Sequence, residues 1–105
     1  MIIPASLYLY IYKVLSVRPM CFIDMIKDKK IAELTTHKYN RVDVSDRIQY
    51  ILSSLERWSY VTCPKPDDAH LPFQGYSTKP RNYWRYIIKK KGLTIELIKK
   101  FLEAE

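Results

Sequence analysis

The stretch VDVSDRIQYILSSLERWSYV, Val42–Val61, decides the fold. Apolar residues recur in it at spacings of three and four, which is typical of a helix that buries one face. The residues with this spacing are Ile48, Ile51, Leu52 and Leu55. We therefore predict a helix over about residues 44–58. The pattern then changes at Tyr60–Cys63, where aromatic and β-branched residues predict a strand.

Two further helices are predicted before this one. Leu7–Val17 is apolar almost throughout, so strand and helix periods both fit it. The preceding Pro4 favours a helix, and Arg18-Pro19 ends it because a residue before proline leaves helical geometry. Met20–Thr36 is predicted to form the second helix, and the polar, basic residues His37–Arg41 connect it to the third.

The second half of the chain is predicted to form a long hairpin and a last helix. Pro64–Pro80 holds four of the six prolines, so it is a loop rather than a helix. The aromatic and β-branched residues of Asn82–Lys91 predict a second strand. The hairpin with its loop covers about residues 60–89, and Thr94 can cap a helix over about residues 94–104. The fold class is α+β, mostly helical, in a single domain, 1–105.

Composition restricts the classes of function. The chain has 105 residues, 48% of them hydrophobic, which suits one core. A formal net charge of +7 favours an anionic partner such as nucleic acid. Cys21 and Cys63 lie far apart, and no signal sequence or membrane span is evident. We expect a cytoplasmic protein with reduced thiols, although a disulfide remains an alternative.

Three stretches resemble the winged helix-turn-helix superfamily, and within it the small PadR-like transcriptional regulators. They are MCFIDMIKDKKIAELTT, IQYILSSLERWSYV and KPRNYWRYIIKKKGL, which resemble the second helix, the recognition helix with its exit, and the second wing strand. Ser59 stands where that family usually has glycine, and the wing is longer. The resemblance implies three helices, a two-stranded wing hairpin and a C-terminal dimerisation helix.

The resemblance also implies that the third helix lies in the major groove of duplex DNA, as a transcriptional regulator of the repressor type would place it. The candidates for base readout are Arg47, Gln49, Tyr50 and Ser54. The candidates for contacts to the backbone, on the wing and around the helix, are Lys38, Arg41, Ser45, Lys65, Lys79, Arg81 and Arg85. The run Lys89–Lys91 is more typical of a solvated strand end than of a DNA contact.

A homodimer is expected because the last helix has a wide apolar face and the first helix carries several tyrosines. The candidate interface residues are Ile95, Leu97, Ile98, Phe101, Leu102, Tyr8 and Tyr12. Trp84 is a candidate contact for a small aromatic effector, as the resemblance implies. No metal, cofactor or enzymatic activity is expected, since no motif for these is present. The alternative function is a winged-helix module for protein–protein contact in a transcription or replication assembly.

Overall fold

The computed structural model describes residues 3–35, 44–65 and 83–105. In these ranges the protein is α+β and mostly helical, which confirms the predicted class. The elements in chain order are α1 (Ala5–Val17), β1 (Met20–Cys21), α2 (Phe22–Lys27), α3 (Lys29–Thr35), α4 (Val44–Arg57), β2 (Val61–Thr62), β3 (Arg85–Ile88) and α5 (Ile95–Ala104). The predicted connection His37–Arg41 and most of the predicted wing lie outside the described residues.

Helix α1 lies at the centre of the core. Its buried residues follow helical spacing, which resolves the ambiguity between strand and helix: Leu7, Tyr8, Ile11, Tyr12 and Leu15. The helix contacts α3, α4, α5 and β3, so helices and sheet both pack on it. It ends where predicted, because Arg18 takes an extended backbone before Pro19.

The predicted single helix over Met20–Thr36 is wrong. Met20 and Cys21 form the short strand β1, and the rest divides into α2 and α3 at Asp28. The Asp28 carboxylate oxygen Oδ1 accepts a hydrogen bond from the backbone N–H of Ile31 at 2.9 Å, while its carbonyl accepts one from Ala32. An aspartate with these two bonds is an N-cap, which starts a new helix instead of continuing the old one.

Helix α4 begins and ends close to the predicted limits. Its four predicted core residues Ile48, Ile51, Leu52 and Leu55 are fully buried. Two backbone hydrogen bonds close the helix end, from Tyr60 N–H to the Leu55 carbonyl and from Ser59 N–H to the Glu56 carbonyl, each 3.0 Å long. These two hydrogen bonds form a Schellman motif. The motif requires a left-handed backbone conformation at the residue that follows the C-cap. Ser59 is that residue, with φ of 69°.

Strand β3 is the middle strand of an antiparallel sheet with the order β1-β3-β2. Met20 pairs with Tyr86 on one side, and Val61 pairs with Ile88 on the other. The two strands β2 and β3 are shorter than predicted. The sheet joins the helical part through Tyr86 and Val61, both of which are buried in the common core.

The sheet also keeps the two cysteines apart. Cys21 lies on β1 and Cys63 follows β2, so the whole width of β3 separates them. Two strand spacings amount to about 10 Å, whereas a disulfide needs Cα atoms within about 7 Å. The thiols are therefore not joined, and burial raises the pKa of the Cys21 thiol.

Gly92 and Thr94 connect the sheet to α5, with Thr94 at the predicted cap position. Gly92 has φ of 91°, a conformation that favours glycine. The Thr94 hydroxyl oxygen accepts a hydrogen bond from the Leu97 N–H at 3.3 Å and caps α5. Helix α5 then packs along α1, with Ile98 fully buried. Among the described residues no helix is both long and apolar enough to cross a bilayer.

Candidate nucleic-acid interface

The outward face of α4 is polar, as expected for a reading surface. Its exposed residues recur at helical spacing opposite the buried stripe: Asp46, Gln49, Tyr50, Ser53 and Arg57. Tyr50 is 42% exposed and is among the most exposed large apolar side chains of the described chain. Of the predicted base-reading residues, Gln49 and Tyr50 therefore lie on the open surface.

Arg47 and Ser45 lie at the border of this face. Both side chains are half-buried, so each keeps part of its surface in contact with solvent. They belong to the first turns of α4, the same end of the helix as Gln49. All three residues lie in the N-terminal half of α4, with Ser45 and Gln49 one turn apart and Arg47 on the flank that turns towards α1.

Ser54 was predicted to read bases, and this prediction is wrong. Its side chain is 0% exposed and hydrogen-bonds to Tyr8 of α1 and to Nη2 of Arg57, the latter at 3.3 Å. Ser54 follows Arg47 by two full turns, so both lie on the flank of α4 that turns towards α1. Ser54 lies beside the buried stripe of α4 and forms a hydrogen bond with the buried phenol of Tyr8. The polarity of serine alone does not predict this buried position.

Arg57, at the C-terminal end of α4, forms an ion pair with Glu105. Its guanidinium forms a salt bridge with the Glu105 carboxylate, which also accepts a hydrogen bond from Trp58 Nε1 at 3.3 Å. Trp58 stacks between Tyr8 and Phe101, with ring centroids 5.5 and 4.8 Å away. The end of α5 is therefore joined to the end of α4 by both a charge pair and an aromatic stack.

The positive charge lies mainly on the hairpin and not on α4. The charges within α4 cancel, since Asp46 and Glu56 balance Arg47 and Arg57. In contrast, every charged residue in segments 61–65 and 83–95 is cationic: Lys65, Arg85, Lys89, Lys90 and Lys91. All five are exposed. We call these five residues the basic hairpin.

The basic hairpin contains two of the predicted backbone contacts, Lys65 and Arg85. Arg85 is exposed on β3, and its neighbour Tyr86 is buried, so the two side chains lie on opposite faces of the strand. The predicted contacts Lys38, Arg41, Lys79 and Arg81 lie outside the described residues. Lys89–Lys91 was not among the predicted DNA contacts, because such a run is more typical of a solvated strand end.

The chain itself buries three of the predicted dimer residues. Tyr8, Tyr12 and Ile98 are at most 6% exposed within one copy, so they offer almost no surface to a second copy. Phe101 packs on Trp58 and Tyr60 of its own chain. Helix α5 keeps half-buried apolar side chains at Ile95, Leu97 and Leu102.

Neither a metal site nor an effector site is defined by this geometry. No group of three or more metal-ligating side chains occurs in the described ranges, and both histidines lie outside them. Trp84 is half-buried, and its backbone carbonyl lies 3.7 Å from the Cys63 thiol. No protein-family model, curated protein or solved structure matches the chain.

Proposed function

We propose that this protein binds duplex DNA in a sequence-specific way and regulates transcription as a repressor of the winged helix-turn-helix, PadR-like type. Helix α4 lies in the major groove, which is wide enough to admit one helix. The hairpin lies along the backbone or in the minor groove. The observation that carries the proposal is the combination of a polar, exposed α4 face with the adjoining segments 61–65 and 83–95, in which every charged residue is cationic.

The two surfaces have different tasks in this proposal. Gln49 suits a two-pronged contact to adenine and Arg47 one to guanine, because each presents paired groups that match a base edge. Tyr50 meets phosphate or a thymine methyl group. Lys65 and Arg85 contact phosphates and hold the protein in place without reading sequence. The neutral charge balance of α4 fits this division, since base readout depends on hydrogen bonds more than on net charge.

The experiment that tests the proposal is selection of genomic fragments by the purified protein. We expect repeated rounds to enrich fragments that share a short motif. Binding to that motif should exceed binding to a shuffled duplex of equal length. A protein that retains no duplex, or that enriches no motif, contradicts the proposal.

The second candidate function is a winged-helix module for protein–protein contact. The exposed Tyr50 at the middle of the electroneutral α4 face favours it, because aromatic residues are enriched at protein interfaces. This candidate predicts that Tyr50→Ala abolishes capture of a partner protein and that duplex DNA does not compete with the partner. Competition by duplex DNA would support the first candidate.

A homodimer remains part of the proposal, through the half-buried residues Ile95, Leu97 and Leu102 of α5. Palindromic operators are read by two-fold symmetric dimers, so a dimer fits a repressor. We expect sedimentation to give the mass of a dimer at tens of micromolar protein. A monomer at that concentration contradicts it. The small aromatic effector stays a prediction, with Trp84 as its candidate contact.

A further inference from the structure

Lys89, Lys90 and Lys91 form an exposed group that we call the lysine ridge. They follow β3 directly and precede Gly92, and all three side chains are exposed. No acidic residue occurs between Tyr83 and Ile95, so no carboxylate in this segment offsets their charge. Three successive cations close together attract the phosphates of a nucleic-acid backbone.

The backbone of the ridge is held by residues of the core. The Tyr60 carbonyl accepts hydrogen bonds from the N–H groups of Lys89 and Lys90, at 2.9 and 3.3 Å. The Tyr12 hydroxyl donates to the Lys90 carbonyl at 2.6 Å. Both tyrosines are buried, so the ridge is tied to the interior rather than to another surface loop. A ligand therefore does not have to order this backbone, which lowers the entropic cost of binding.

The ridge continues the proposed interface beyond the C-terminal end of α4. Tyr60, which holds it, follows the last residue of α4 by three positions. The N-terminal half of α4 carries the base-reading candidates, and the helix of 14 residues is about 20 Å long. The ridge therefore lies near the C-terminal end of α4, about one helix length from the base-reading candidates.

The exposed lysines of helix α5 differ from those of the ridge, because acidic residues lie beside them. Lys99 and Lys100 are exposed, but Glu96 and Glu103 are exposed on the same helix. Their charges cancel locally, whereas those of the ridge do not. Helix α5 therefore adds no net charge to the molecule and forms no cationic patch of its own.

We propose that the lysine ridge is a binding surface for the phosphodiester backbone of nucleic acid. This inference rests on the proposed function, since it adds a phosphate-contacting segment to the same interface. Lys89 and Lys91 are the main contacts. The Lys90 ammonium lies 5.2 Å from the centre of the Tyr60 ring and is partly engaged there.

The test compares two double variants, Lys89→Gln with Lys91→Gln and, as the matched control, Lys99→Gln with Lys100→Gln. Each removes two positive charges, so a difference between them reports position and not net charge. Duplex affinity is measured across a series of salt concentrations. Each lost phosphate contact should reduce the slope of log K against log salt by roughly 0.9, so the ridge variant should lose about 2 and the control much less.

An equal loss in the two variants overturns the inference, because net charge alone then explains it. Circular dichroism and thermal unfolding verify that both variants fold. A parent protein that binds no duplex contradicts the proposed function, and the same pair is then compared on single-stranded DNA. Binding there that depends on the ridge supports the inference alone, and absence of binding to either nucleic acid overturns it.

Discussion

Ser59 has a backbone conformation that residues with a Cβ atom rarely adopt. Its φ of 69° lies in the left-handed region, which costs a residue with a Cβ roughly 1–2 kcal/mol. The position terminates α4 and directs the chain into β2, so the Schellman motif imposes this conformation. Glycine adopts this conformation at the least cost, because it has no Cβ atom.

We expect Ser59→Gly to stabilise the protein by about 0.5–1 kcal/mol, since glycine relieves the strain but adds entropy to the unfolded chain. Ser59→Ala keeps a Cβ and should leave the stability nearly unchanged. The free energy of unfolding in urea measures both. A Ser59→Gly protein that is less stable than Ser59→Ala would contradict this explanation of the helix end.

Tyr8 is a buried phenol with an altered acidity. Burial raises its pKa from 10.0 to about 12, with a further rise from nearby Tyr50 and an opposing effect of the hydrogen bond to Ser54. The folded state therefore keeps the phenol neutral while the unfolded state ionises it. Its contribution to stability is complete below pH 10 and decreases as the pH rises towards 12.

Tyr8→Phe removes this titration, because phenylalanine cannot ionise. We expect the parent to lose more of its free energy of unfolding than the variant between pH 10 and 12. Chemical denaturation at several pH values measures the difference. Parallel curves for the two proteins across that range would show that Tyr8 ionises equally in both states.

At the scale of elements, the amphipathic pattern predicts α4 and α5 to within about two residues. Three features escape it. A strand as short as β1 has too few residues to show a period. In the sequence Asp28 cannot be distinguished from the other charged residues around it, because its role as a helix cap depends on the hydrogen bond from Ile31. Ser54 escapes because its partner, Tyr8, is distant in sequence.

The junction of α4 and α5 combines an aromatic stack with a salt bridge. Stacked rings contribute about 0.5–1.5 kcal/mol beyond their buried area, whereas an exposed ion pair contributes about 0–1 kcal/mol. The Arg57–Glu105 pair is largely solvent-exposed, with 54% and 30% of the side chains accessible. The stack of Trp58 on Phe101 should therefore dominate the contact.

We expect Phe101→Leu to lower the free energy of unfolding by about 1–2 kcal/mol and Glu105→Gln by less than about 0.5 kcal/mol. The leucine keeps an apolar side chain, so the comparison isolates the ring. Urea denaturation followed by tryptophan fluorescence measures both variants. If Glu105→Gln destabilises as much as Phe101→Leu, the salt bridge and not the stack holds the two helices.

At the scale of the whole molecule, the proposed function assigns base readout and electrostatic attraction to different surfaces. Helix α4 is polar and electroneutral, and the basic hairpin supplies cations beside it. The sequence predicted the outward α4 face from periodicity alone. It did not predict this separation of charge, because Lys89–Lys91 becomes part of a surface only when Tyr12 and Tyr60 anchor the strand end.

The central claim, that α4 reads base sequence, is tested by the affinity ratio between the selected motif and a shuffled duplex. Gln49→Ala should cost about 1–3 kcal/mol on the motif and much less on the shuffled duplex, so the ratio falls. Ser53→Ala, on the same exposed face, is the control and should keep the ratio. Lys65→Gln should weaken both duplexes alike. A Gln49→Ala protein that folds normally and keeps the parent's ratio would contradict the claim.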